Sequence, residues 1–125
     1  ARVRRRLLAE PFSVSGRCGP DVTGEWDAET LFDVFERETA RKILALTSVE
    51  PMAAQELAER TDESEPTIYR RLDALEEYDL VEERTHMDAD GNHYSEYETN
   101  LEAVCFQLED GGFTIDVTYR KELVD

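Results

Sequence analysis

The sequence predicts an α+β fold, a helical bundle carrying a β-ribbon with a further C-terminal β-hairpin, and three observations do so. Apolar residues recur at helical spacing in the middle of the chain, as in Ile68, Leu72 and Leu75. Asp88 to Asn92 contains an Asp-Gly pair between two strand-like segments, a strong hairpin signal. Beyond residue 100, Val104, Phe106 and Leu108 alternate with polar residues, and Phe113, Ile115, Val117 and Tyr119 alternate back. At 125 residues the chain is long enough for one modest core.

Two helices joined by a tight polar turn organise the rest. Gln55 to Arg60 is a helical window with Leu57 and Ala58 on one face and Gln55, Glu56, Glu59 and Arg60 on the other. Thr61, Asp62 and Glu63 break the pattern, and Ser64 supplies a cap oxygen for a new helix. Pro66 falls in that helix's first turn, where its missing N–H costs nothing. Its leucine stripe is buried, while Glu65, Thr67, Tyr69, Arg70 and Arg71 face outward. Two helices across a three- to four-residue turn, the second exposing arginines near its start, make the helix-turn-helix arrangement.

Upstream, Asp27 or Thr30 can cap a helix carrying Leu31, Phe32, Val34 and Phe35. A polar interruption at Glu36 to Glu38 precedes a second helix with Ala40, Ile43, Leu44 and Leu46 inward. Pro51 ends it, and Met52 begins a very short strand. Downstream, Val81 to Met87 and His93 to Thr99 form the ribbon, or wing, with Asp88 and Asp90 at its tip and Arg84 as its basic residue. His86 and His93, near opposite ends of the turn, are expected to face each other as a surface pair. The C-terminal hairpin puts Val104, Phe106, Ile115 and Val117 on one face and Cys105 and Asp116 on the other. A two-stranded ribbon alone is marginal in water, so it must pack on the first helices or on a second subunit.

The segments L-F-D-V-F-E-R-E-T-A-R-K-I-L-A-L, Q-E-L-A-E-R, S-E-P-T-I-Y-R-R-L-D-A-L and L-V-E-E-R with the D-A-D-G-N turn, in that order over residues 31–99, resemble the ArsR-like winged helix-turn-helix regulators of archaea and bacteria. The resemblance implies a homodimer that binds double-stranded DNA. Its recognition helices, residues 64–78 here, would sit about one DNA turn apart. Two departures stand out. Such turns often carry Gly where this chain has Thr61, Asp62 and Glu63, so an Asp in left-handed conformation must substitute. Ala53 and Ala54 stand where a Ser or Thr cap is expected, and the cysteine-bearing metal motif of metal-sensing relatives is absent from Gln55 to Asp62.

Acids outnumber bases 30 to 14, for a net charge of −16, and the bases are twelve Arg and two Lys. That balance suits a halophilic protein kept soluble in molar salt, and with the resemblance it points to a haloarchaeal source. Residues 1–26 carry five Arg against three acids and the remainder nine bases against 27 acids, so the basic excess is confined to the N-terminal extension. That extension reads either as a flexible leader or as an arm in which Arg2, Arg4, Arg5 and Arg6 follow DNA phosphates or enter a minor groove. In molar salt the screening length falls to about 3 Å, so DNA binding must lean on close-range arginines and base edges.

The expected division is therefore a basic extension (1–26), a winged helix-turn-helix (27–100) and a C-terminal hairpin that is a candidate dimerisation element (101–125). The expected DNA-contacting set is Ser64, Glu65, Thr67, Tyr69, Arg70, Arg71 and Arg84. Arg70 or Arg71 can read guanine O6 and N7, and Glu65 can accept from cytosine N4. Ser64 fits a cap better than a reader, although a helix start can also hold phosphate. The alternative function is a winged-helix protein-interaction module of the transcription machinery, without DNA contact. No phosphate-cradling Gly-rich loop, nucleophile elbow or His-Glu metal motif is present, so the sequence predicts no enzyme, cofactor or metal. Cys18 and Cys105 read as free thiols of a cytoplasmic protein, Cys105 with the option of cross-linking subunits on oxidation. No membrane span is expected, and the sequence names no small-molecule effector.

Overall fold

A computed structural model describes residues 3–9, 28–109 and 112–120. The elements are β1 (Val3–Ala9), α1 (Ala28–Glu36), α2 (Glu38–Val49), α3 (Ala54–Thr61), α4 (Glu65–Glu77), β2 (Val81–Met87), β3 (His93–Thr99), β4 (Leu101–Glu109) and β5 (Gly112–Tyr119). They form an α+β, winged-helix-like architecture in two compact units, one of residues 36–100 and one of residues 1–35 with 101–125. Helix α1 up to Phe35 groups with the sheet of β1, β4 and β5. Among the described residues no helix is long and apolar enough to cross a membrane.

In the Glu36–Asn100 unit the three helices bury the expected stripes: Ala40, Ile43 and Leu44 from α2, Leu57 and Ala58 from α3, and Ile68, Leu72 and Leu75 from α4. One inward position differs from expectation. Thr47 is buried and Leu46 only partly so. A buried hydroxyl needs partners. Thr47 finds them, its Oγ1 donating to the Ile43 carbonyl at 2.7 Å and lying 2.7 Å from Thr99 Oγ1, which is 2.7 Å from the Leu44 carbonyl. This small polar knot joins α2 to the base of the wing.

Helix α3 starts at Ala54 without a side-chain cap and stops where Asp62 turns left-handed, at φ 58° and ψ 39°. The N–H of Asp62 returns to the Ala58 carbonyl, closing the helix end that glycine often closes. Met52 pairs with Tyr97 through two backbone hydrogen bonds of 3.0 and 2.7 Å, so the short strand expected at Met52 is a single bridge onto β3. The wing itself is the antiparallel pair β2–β3. Its tip closes on Asp88, whose carboxylate accepts from the N–H groups of Asp90 and Asn92 at 2.9 Å each, and Gly91 supplies the positive φ, 83°, that the turn requires.

The other unit holds a three-stranded antiparallel sheet in the order β1-β5-β4. The sequence predicts Val3–Ala9 as part of a flexible leader or a DNA-following arm, and the C-terminal hairpin as two-stranded. Instead β1 supplies a third strand, pairing Val3 with Tyr119 through Ala9 with Phe113. Periodicity missed it because the segment V-R-R-R-L-L-A does not alternate. Cα register places Arg4, Arg5 and Arg6 opposite Thr118, Val117 and Asp116, so their backbone belongs to a sheet edge. Arg2, the Gly16–Pro20 loop with Cys18, Asp27 as a cap, and the centre of the β4–β5 turn lie outside the described residues. Central position buries β5 on both faces, Ile115, Val117 and Tyr119 on one and Asp116 on the other. Phe106 of β4 stacks on Phe32 of α1, with centroids 5.1 Å apart, and meets Phe35 edge-on at 6.2 Å.

Candidate nucleic-acid interface

The apolar stripe of α4 fixes which side chains can reach a ligand. Ile68, Leu72 and Leu75 are fully buried, so the helix cannot rotate, and its remaining positions divide into two flanks. Thr67, Arg70 and Arg71 lie on one, and Glu65, Tyr69 and Glu76, spaced by four and seven, lie on the other.

The first flank is pre-arranged from the cap outward. Ser64 adopts extended geometry at the N-cap, and its Oγ accepts from the Thr67 N–H at 3.3 Å. Ser64 Oγ also donates to Thr67 Oγ1 at 3.0 Å, and Arg70 Nη2 donates to the same oxygen at 2.9 Å. Arg70 is exposed but tethered through Thr67 to the helix start. Arg71 is half-buried, and that burial, followed by the nearby charges of Arg37 and Arg70, holds its guanidinium below the ordinary arginine pKa. Glu63 acts weakly in the opposite sense. Among the described residues, no carboxylate comes within ion-pair distance of Arg37, Arg70 or Arg71. Elsewhere Lys42 pairs with Glu38 at 2.9 Å and Arg60 with Glu56 at 3.1 Å. The uncompensated arginines of the Glu36–Asn100 unit thus converge on one edge of α4.

The second flank faces the wing across a groove of about 400 Å³ lined by Ala53, Gln55, Glu65, Tyr69, Glu83 and Tyr97, among others. Burial, then the charges of Glu83 and Asp73, raises the pKa of Glu76 above the usual carboxylate value. Burial, then the charges of Glu83 and Glu76, push the Tyr97 phenol well above its ordinary value, and its O–H donates to Glu83 Oε2 at 3.5 Å. This side holds crowded negative charge.

The wing adds little positive charge. Strand alternation puts Glu83, Thr85 and Ser95 on the groove side and Glu82, Arg84, His86, Glu96 and Glu98 on the reverse. There Arg84 lies 3.3 Å from Glu98 and 3.7 Å from Glu82. His86 does not face His93 as the sequence suggested. Its register partner is Tyr94, on which it stacks at 5.2 Å, while its Nε2 lies 3.1 Å from Glu96, and His93 is opposite Met87. The turn spans Asp88 to Asn92, so the two histidines are one position out of register and point to opposite faces of the ribbon.

The structure therefore brings Ser64, Thr67, Arg70 and Arg71 together, sets Glu65 and Tyr69 on the opposing flank, and leaves Arg84 on the far side of the wing. Arg37, which caps α2 through backbone alone and is exposed, joins the first group without having been foreseen. Its one sequence signal was a basic residue between two glutamates at the break between helical patterns. Comparison with curated proteins yields no match for the chain. Residues 35–84, from the end of α1 to the middle of β2, match the family described as "Helix-turn-helix domain", a segment that includes α3, the Asp62 turn and α4.

Proposed function

We propose that the protein is a sequence-specific DNA-binding transcription regulator of the ArsR-like kind, with α4 as its recognition helix. One observation carries the reading. In a chain of net charge −16, a Ser64-capped helix start presents Thr67, Arg70 and Arg71, with no carboxylate among the described residues paired to either arginine. Arginine is suited to this task because its planar fork matches guanine O6 and N7 as well as phosphate. Thr67 holds Arg70 ready, so less side-chain freedom is lost on binding. Glu65, at the first turn, is the partner for a cytosine N4, and Tyr69 stands beside it.

The protein acts as a homodimer on a two-fold DNA site. Support comes from β4, an edge strand on which Phe106 and Leu108 are 45% and 77% exposed, a surface that a second copy would cover. The acidic, Arg-over-Lys composition supports work in molar salt, where binding by bulk positive charge would fail. The test is selection from a random-sequence duplex pool by the full chain. The wild type should enrich a defined site, and Arg70→Ala with Arg71→Ala should abolish that enrichment at an unchanged thermal midpoint. Equal affinity of wild type and double variant for the recovered duplex would reject the assignment.

A further inference from the structure

We infer that the duplex seats on the α2-side edge of α4, where Arg37 anchors a DNA phosphate beside Arg70 and Arg71, and that the wing tip stands off the DNA. This rests on the DNA-binding reading above and specifies how that site is used.

Arg37 lies before the helix-turn-helix pair, at the junction of α1 and α2, and its side chain makes no cap hydrogen bond. It is exposed, at the start of a helix that packs against α4, and its charge reaches Arg71, yet no carboxylate among the described residues pairs with it. Three like charges on one edge repel one another in the free protein. A phosphate placed between them removes that repulsion, and arginine can hold it with two parallel hydrogen bonds. Across α4 the situation reverses. Glu65 and Glu83 line one groove, Glu76 on the same flank feels the charge of Glu83, and beyond the groove the tip exposes Asp88 and Asp90. Double-stranded DNA carries one negative charge per roughly 1.7 Å of axis, so a pose that threads its backbone along that groove sets carboxylates against phosphates. Arg84 cannot relieve this, because it lies on the other face of the ribbon beside Glu98. The favourable pose shifts the helix toward its arginine edge and lifts the wing.

Binding of the full chain to the duplex recovered by the wild type, followed across a potassium chloride series, tests this. Each phosphate contact contributes about −0.9 to the slope of log K against log salt. Arg37→Ala should therefore flatten the slope by about 0.9 and weaken binding about tenfold at the lowest salt, with the preferred sequence unchanged. Arg37→Lys should recover most of the slope. Asp90→Lys should change neither slope nor affinity, since a lifted tip cannot use the new charge. An unaltered slope in Arg37→Ala, or a steeper one in Asp90→Lys, overturns the inference. Loss of sequence preference in the Arg70/Arg71 double variant would still leave the parent reading standing in that case. If the wild type enriches no duplex, both fall.

Discussion

The two flanks of α4 share one backbone and one buried stripe yet present opposite chemistry. On the Thr67 side, hydrogen bonds run outward from the cap to an exposed guanidinium, and three arginines stand without carboxylate partners among the described residues. On the Tyr69 side, carboxylates press on one another and on a phenol, with Glu76 and Tyr97 both driven toward their protonated forms. The difference teaches that net charge is a poor guide to this surface. What matters is where an acidic protein leaves its positive charge unneutralised, and among the described residues of the Glu36–Asn100 unit Arg37, Arg70 and Arg71 stand together at one edge of α4.

The largest expected effect removes the base common to both flanks. Leu72 is fully buried beneath α4, and Leu72→Ala should cost about 2–5 kcal/mol, read as a lower urea midpoint, with both flanks lost together. A smaller change separates them. Ser64→Ala removes the oxygen that accepts from the Thr67 N–H and the hydroxyl that bonds Thr67 Oγ1, at a cost of about 1 kcal/mol. It should loosen Arg70 and weaken DNA binding beyond what the stability loss explains, while Glu76 opposite keeps its raised pKa. Equal disturbance of both flanks would show that the cap serves the helix alone.

Much of this fold was legible because its signals are local. The stripe Ile68, Leu72 and Leu75, the Ser64 cap, the Asp-Gly turn of the wing and the alternation of Phe113 to Tyr119 each lie within a short window, and each appears where the sequence puts it. Even the left-handed Asp62 followed from a turn without glycine. What escaped depended on partners far away in the chain. β1 pairs with β5 across more than a hundred residues, and a run of arginines gives no alternation to betray it. Thr47 is inward because the Ile43 carbonyl and Thr99 Oγ1 satisfy its hydroxyl, which no helical period encodes. The site divided the same way. Thr67, Arg70 and Arg71 were readable as one helix face, whereas the grouping of Arg37 with them, and the turning of Arg84 to the far face of the wing, are set by tertiary packing and by strand register.

The smallest expected effect addresses the acidic flank directly. Glu76 has a raised pKa in the folded chain, chiefly through burial and then through Glu83 and Asp73. The folded state therefore holds this proton more tightly than the unfolded one does. Stability from that proton is fully present below the ordinary glutamate value, about 4.3, and is lost as pH rises through the raised folded value. At neutral pH the ionised Glu76 is a net cost, so Glu76→Gln should raise the thermal midpoint there. In acid, where Glu76 is itself neutral, the advantage should shrink toward nothing. Melting both proteins from pH 3 to pH 8 and following the difference between them cancels the titration of carboxylates remote from Glu76. A difference that stays constant with pH would mean that the substitution acts through shape or hydrogen bonding, and the contrast between the flanks would then owe nothing to charge crowding at Glu76.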